Sequence, residues 1–304
     1  MRLISKSISL IIILCCFWAC NDQFQYYSDS DVERIVVEGI AEVDSSLRIR
    51  LSASNQMFSE DTSKVEISNA TIRLYVDGRL IEFISQDGSG VYGANYIPRS
   101  GDSVRFVVRD DDHPIAICED VMPRRVDVTL FDTSGRIGNN FDLLLRFIEE
   151  PNTNSSYFLS LNSLFYEYEL DNQGSIIDSN LVSEPVVVRS ANKLFFSESN
   201  LINNQSTYQI FSDQLIPSGP YDLSIIVHAS DLAVSSQRSK STALALDFRS
   251  ISESTYKTLE GLQLNSSVFG GPFSTTNNVL DNIQGGYGLM QFNWNYRDTI
   301  YLAQ

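Results

Sequence analysis

Residues 278 to 294, "NVLDNIQGGYGLMQFNW", bring Gly285, Gly286 and Gly288 close together, and glycines at such spacing are one way to cradle a phosphate. A dinucleotide loop needs a strand, then Gly-x-Gly-x-x-Gly, then a helix whose N-terminus faces the pyrophosphate. Gly286 and Gly288 have the first spacing, but position 291 is Gln, no Lys-Ser/Thr follows, and "YGLMQFNWNY" reads as a strand. The cluster is therefore expected to be a tight corner feeding a last strand, with Gly286 at positive φ.

Other residue types that do chemistry are sparse or badly spaced. His113 and His228 lie far apart, and neither has a Cys or His at ligand spacing, which points away from zinc. "RDDDHP" at 109 to 114 offers three consecutive carboxylates without the alternation and distal Glu of a calcium loop, so it reads as a solvated hairpin tip. No Gly-x-Ser-x-Gly elbow is present, and "DGSG" falls on a turn. The 38 acidic residues supply many carboxylate pairs, none of which stands out as a glycosidase pair. Cys118, inside the apolar run "PIAICED", reads as a buried core thiol. No catalytic residue, metal or cofactor is expected, and the chain reads as a non-enzyme.

The elements that carry these residues are mostly strands. From Glu33 onward "ERIVVEGI", "SLRIRLSA", "ATIRLYVDG", "RLIEFIS" and "SVRFVVRD" alternate, with Ala70, Ile72, Leu74 and Val76 on one face and Thr71, Arg73 and Tyr75 on the other; these are half-buried strands. "VDGR", "QDGSG", "RSGD" and "RDDDHP" punctuate them, and Asp-Gly between alternating runs signals a hairpin. Strands at this spacing predict an immunoglobulin-like β-sandwich ending near "VMPRR". From Val126 the chain is again strand-rich, with longer Asn- and Ser-rich loops. Tyr166 and Tyr168 share one face of the strand in "SYFLSLNSLFYEYEL". The one helix expected is "ISESTYKTLEGLQLN", capped by Ser252 or Ser254, with Ile251, Tyr256, Leu259, Leu262 and Gln263 at helical spacing.

The N-terminus adds a targeting signal. Arg2 and Lys6 precede "SISLIIILCCFWA", an apolar run that reads as a signal peptide and is too short to span a bilayer. Of the three cysteines there, only Cys20 follows a small residue, Ala19, so "FWAC" reads as a lipobox and Cys20 as the lipidated residue; acyl chains then hold the protein on a membrane without a spanning helix. The formal charge of -16 becomes more negative once residues 1–19, with two basic and no acidic residues, are removed. Such a surface repels nucleic acid, which excludes that partner class. The expected organisation is a signal peptide over 1–19, a lipidated tether over 20–32, the sandwich over 33–124 and a second β-rich domain over 125–304.

Several stretches together resemble a known family: "IVVEGIAE", "VEISNATIRLYVDG", "GSGVYGA" before "GDSVRFVV", "VMPRRVDV", and above all "SESTYKTLEGL" followed by "GGPFSTTNNVLDNIQGGYGLMQF". The chain resembles Bacteroidota outer-membrane lipoproteins grouped as a domain of unknown function (number four-two-four-nine), commonly encoded beside TonB-dependent receptors. Its members carry a helix with aromatic residues, then Pro-Phe, then Asn-Ile-x-Gly-Gly-x-Gly before a closing strand; here these are Pro272, Phe273, Asn282, Ile283, Gly285, Gly286 and Gly288. The resemblance implies a lipid-anchored outer-membrane protein, on the periplasmic face or the cell surface, with an N-terminal immunoglobulin-like sandwich and a second β-rich domain. It supplies no catalytic residues. Asp-Ser-Val at 102–104 and Asp-Thr-Ile at 299–301 match the motif for O-glycosylation of exported Bacteroidota proteins, with Ser103 and Thr299 as acceptors. The function expected is a non-catalytic accessory or binding component for a TonB-dependent receptor or its cargo. A structural or adhesive envelope protein is the alternative, and a hydrolase with an unrecognised carboxylate pair a third.

Overall fold

The computed structural model describes residues 33–54, 65–88, 90–132, 140–151, 153–171, 173–190, 207–232, 243–267 and 281–302. The signal peptide, the tether with Cys20, Pro272 and Phe273 lie outside the described residues.

Alternation decides the first half. Strand β4 (Thr71–Val76) buries Ile72, Leu74 and Val76 and turns Thr71 to solvent, as a strand with one face on a core must. Asp77 and Gly78, at φ 49° and 75°, join it to β5 (Arg79–Gly88) in the two-residue turn whose twist matches its strands. One layer continues through β7 (Ser103–Arg109) and β8 (Ala116–Val121). The facing layer holds β1 (Ile35–Glu42), β2 (Arg48–Ala53) with the short β3 (Val65–Glu66), and β6 (Val91–Gly93). β5 belongs to both layers, pairing with β4 over its first part and with β6 over its last. Between the layers lie Ile35, Val37, Leu51, Ile72, Leu74 and Phe106, with the Cys118 thiol among them. Burial, and secondarily Asp120 and Glu119, raises the Cys118 pKa, which keeps the thiol protonated and inert.

A second sandwich follows. Its three-stranded layer is β9 (Val128–Asp132), β10 (Asn140–Glu149) and β14 (Gly219–His228). Its other layer holds β11 (Ser156–Leu170), β12 (Ile176–Val186), β13 (Tyr208–Ser212) and β15 (Ala243–Ile251). Leu143, Leu145 and Phe147 of β10 pack with Leu223, Ile225 and Val227 of β14 against Tyr157, Leu246 and Phe248. The Phe147 ring lies 5.1 Å from Tyr157 and 5.3 Å from Phe248, within the range in which tilted rings attract. The fold is thus mostly β, two sandwiches with one α-helix, α1 (Glu253–Ser267), among the described residues.

The last strand, β17 (Tyr287–Tyr301), joins the two sandwiches. Residues 287–293 pair in parallel with β1, and residues 293–301 pair antiparallel with β15. Met290 and Phe292 fill the first core, Ile300 fills the second, and Trp294 packs against both. The contiguous spans 33–124 and 125–304 therefore do not coincide with the two cores, because the strands from Ile283 to Asn293 fold back into the first sandwich.

Candidate functional site

The glycine corner carries the chain between the two layers of the first sandwich. Short strand β16 (Ile283–Gln284) pairs with Cys118 and Ile117 at the edge of β8, and three residues later Tyr287 pairs with Val36 in the opposite layer. Gly285 and Gly288 have φ of 78° and 115°, the region glycine tolerates. Gly286 differs from expectation. Its φ is not positive, and it is glycine because a Cβ there would lie 2.5 Å from the Ile35 carbonyl oxygen and 3.0 Å from Ala116 Cβ. No helix follows to face a phosphate, since the next residues enter β17.

Asn282 explains its place beside that corner. Its side-chain Nδ2 donates to the Met290 carbonyl at 2.6 Å, and its Oδ1 accepts the Met290 N–H at 3.0 Å. Next along the same edge, Ser252 N–H donates to the Phe292 carbonyl at 3.0 Å, and Phe292 N–H donates to Thr255 Oγ1 at 3.1 Å. Two side chains and the start of α1 thus replace the strand that β15 does not extend far enough to supply, and the backbone groups of Met290 and Phe292 on this edge are satisfied. Ser252, rather than Ser254, caps the helix through Thr255 N–H at 3.3 Å. Ser254 instead bonds Asp120 and, at 3.2 Å, Asn282 Nδ2. The buried face of α1 is accordingly Thr255, Thr258 and Gln263, while Leu262 is exposed. Apolar spacing misplaced that face because the helix covers backbone, not core.

Polar clusters missed by sequence reasoning serve the joint. Arg124 bonds the buried Glu149 of the second sandwich, and Glu149 also accepts from Thr153 and Ser155 at 3.0 and 3.2 Å and from Tyr157. Burial and then the Glu149 bond raise the Tyr157 pKa. Its neighbour Arg125 pairs with Asp44 of the first sandwich. The "PRR" at the boundary was the only signal of this.

The hairpin tip at 109–114 is solvated only in part. Asp111 and Asp112 are exposed, whereas the Asp110 side chain is 4% exposed and lies 2.5 Å from His113 Nδ1. Among the described residues no three His, Cys, Asp or Glu side chains gather as a metal would require. Ser103 is half-buried at the start of β7, and Thr299 is exposed on β17.

Two open grooves mark the first sandwich. One, of about 800 Å³, crosses β17, β1 and β2 beside Glu38, Ile40, Glu42, Arg48, Arg50 and Gln291. The other, of about 710 Å³, borders Asp77, Arg79, Tyr96, Arg99 and Asp102. In it Asp102 accepts from Tyr96 Oη and, at 2.7 Å, from Arg99 N–H, so its carboxylate is already engaged.

The most distinctive surface is the end of the β11/β12 hairpin. The pairing of β11 with β15 stops at Leu164↔Ala243, while its pairing with β12 runs on to Leu170↔Ile176. Among the described residues this end of the hairpin forms a two-stranded arm. Asp171 Oδ1 locks its tip, accepting the N–H groups of Gln173 and Ser175, each at 2.8 Å. Tyr166 stands opposite Leu181 and Tyr168 opposite Ser179. Tyr166 is 42% exposed, Leu181 59%, Ile176 58% and Ile177 61%. Isolated apolar residues on a surface need no explanation, but these four stand together on one end of a hairpin.

No family model matches the chain, and no curated protein does. Among solved structures it is similar to a mutant of Salmonella alpha-2-macroglobulin, at 12% identity and a TM-score of 0.21, over 89% of this chain and 15% of that one. So distant a likeness carries no argument about fold or function.

Proposed function

We propose that this chain is a non-catalytic outer-membrane lipoprotein, anchored through Cys20, that serves as an accessory or binding component for a TonB-dependent receptor or its cargo. The exposed apolar arm carries the binding part of this reading. Tyr166, Leu181, Ile176 and Ile177 are exposed on one end of the β11/β12 hairpin, and tyrosine with aliphatic neighbours is a composition suited to contact surfaces. The non-catalytic part is supported by the buried carboxylate of Glu149, which is engaged by Arg124, Thr153, Ser155 and Tyr157 in a structural cluster. The anchored part rests on the apolar run before Cys20 and on the family resemblance. Glycosylation at Thr299 fits its exposure on β17 better than at the half-buried Ser103. The paired fastening by Arg124 and Arg125 favours a second reading, a spacer that holds two sandwiches in fixed relation within the envelope.

Affinity purification of a C-terminally tagged chain from detergent-solubilised outer membranes, followed by mass spectrometry, tests the first reading. A TonB-dependent receptor in near-equal amount, lost in Leu181→Lys, supports it. Recovery of the chain alone overturns it in favour of the spacer.

A further inference from the structure

The outer face of the β5–β4–β7–β8 layer differs in charge from the protein as a whole. Ile72, Leu74, Phe106, Val108 and Cys118 of these strands point into the first core, so the alternate residues stand on the other side. Phe83, Arg73, Val107 and Ile117 form one row across the four strands, and Leu80, Tyr75, Arg105 and Glu119 form the next. Arg109 and Val121 continue the face at its opposite ends.

The chain has 38 acidic and 22 basic residues. Among these rows, by contrast, stand the arginines 73, 105 and 109 and a single acid, Glu119, which is paired with Arg105 at 3.5 Å. Leu80, Phe83 and Val121 are exposed between them, and the Arg73 guanidinium lies 5.6 Å from the centre of the Phe83 ring. Arginines set among exposed aliphatic and aromatic side chains suit the head-group region of a bilayer, where the apolar groups sink in and the cations meet anionic lipid. Asp111 and Asp112 belong to the connection beyond Arg109 and border the face.

An acidic protein would also suit the arginines, but the place of the tether favours a lipid surface. Glu33, where the tether enters the fold, lies 4.0 Å from His113 in the β7–β8 connection. The anchor therefore leaves the fold at the Arg109 end of this face. Fully extended, the residues between Cys20 and Glu33 span at most about 45 Å, which keeps that end near the bilayer.

We propose that the outer face of the β5–β4–β7–β8 layer lies on a membrane surface that carries anionic head groups, with Arg73 and Arg109 meeting the charges and Leu80, Phe83 and Val121 entering the interface. This rests on the reading of the chain as lipid-anchored and gives the anchored protein an orientation. A net acidic protein is repelled by such a surface, so a cationic face is the one it can present.

The test uses the chain purified from detergent-solubilised membranes and returned to phosphatidylcholine vesicles, with or without phosphatidylglycerol, that contain a quencher-labelled lipid. A fluorophore is attached through Val121→Cys on the face or through Leu181→Cys on the second sandwich; Cys118 is buried and takes up no label. The proposal predicts quenching at position 121 and not at 181, and about tenfold less of it without phosphatidylglycerol. Arg73→Glu with Arg109→Glu should reduce that quenching about tenfold at an unchanged thermal midpoint. Salt at about 1 M, which shortens the screening length to about 3 Å, should reduce it in the chain that keeps both arginines. Equal quenching at the two positions, or quenching indifferent to phosphatidylglycerol or to salt, overturns the proposal. If position 121 is not quenched while the chain floats with phosphatidylcholine vesicles, the proposed face is overturned and the anchor stands. If the chain floats only with vesicles that contain phosphatidylglycerol, and position 121 is quenched there, the face stands and the anchor falls. If it floats with neither, both fall.

Discussion

The Asn282 side chain meets both backbone groups of Met290, donating to its carbonyl at 2.6 Å and accepting its N–H at 3.0 Å. One amide thus takes the place of a neighbouring strand. Asn282→Ala leaves both Met290 groups without that partner, and each such group costs about 1–3 kcal/mol when buried. Asn282→Asp keeps the acceptor but sets a carboxylate against the carbonyl, so it is expected to destabilise too. Urea denaturation of the two variants should give lower midpoints at unchanged slope.

Gly286 is confined by its neighbours rather than by its own dihedral angles. A methyl group there meets the Ile35 carbonyl on one side and Ala116 on the other, and overpacking of this kind costs about 1–3 kcal/mol. Gly286→Ala should lower the thermal midpoint, and Gly286→Val should lower it further or prevent folding. A midpoint equal to wild type would refute the close approach.

Arg124 and Glu149 form an ion pair on the wall of the second core, with Glu149 only 2% exposed. Arg124→Met strands that carboxylate, a loss of about 3–5 kcal/mol where a buried pair is broken from one side. Arg124→Met combined with Glu149→Gln should recover part of the loss, because the amide still receives the Thr153 and Ser155 hydroxyls. A double-mutant cycle by chemical denaturation measures the coupling.

Tyr96 titrates late. Burial, followed by its bond to Asp102, pushes its pKa from 10.0 up to about 12. The protonated phenol is favoured in the folded state, so its contribution to stability is complete below pH 10 and is lost as pH rises from there towards 12. Tyr96→Phe should flatten that part of the stability profile, and the tyrosinate absorbance of wild type minus variant should show one group ionising near 12.

Cys20→Ser should release the chain from washed outer membranes into the soluble fraction, since a single thiol carries the proposed anchor. Retention of the variant on the membranes would count against lipidation.

Local pattern made much of this fold readable. The alternation of Ile72, Leu74 and Val76, the Asp77-Gly78 turn, the burial of Cys118 and the helix beginning after Ser252 are all set by residues within a few positions of one another. What escaped depends on partners distant in sequence. Nothing near Tyr287 says that it pairs with Val36, and nothing near Arg124 says that it reaches Glu149. The reason for Gly286 was misjudged likewise, because the obstructing oxygen belongs to Ile35. Tyr166 and Tyr168 are legible as one face, but their places opposite Leu181 and Ser179 follow from the pairing with β12, which the sequence of β11 does not state.

The shared strand β17 sets an order of assembly. Glu42, at the end of the pairing of β1 with β17, accepts from Arg297 at 3.4 Å, and the two are 255 positions apart. Parallel pairing across so long a loop forms late and slowly. The half of the protein that is synthesised first therefore cannot be finished before the last strand is made: its core stays open until Ile283, Met290 and Phe292 arrive to close it. During synthesis the nascent chain is a loose one that can still be threaded through a narrow pore, and a stop codon or cleavage before Ile283 unmakes the first sandwich from the far end of the molecule.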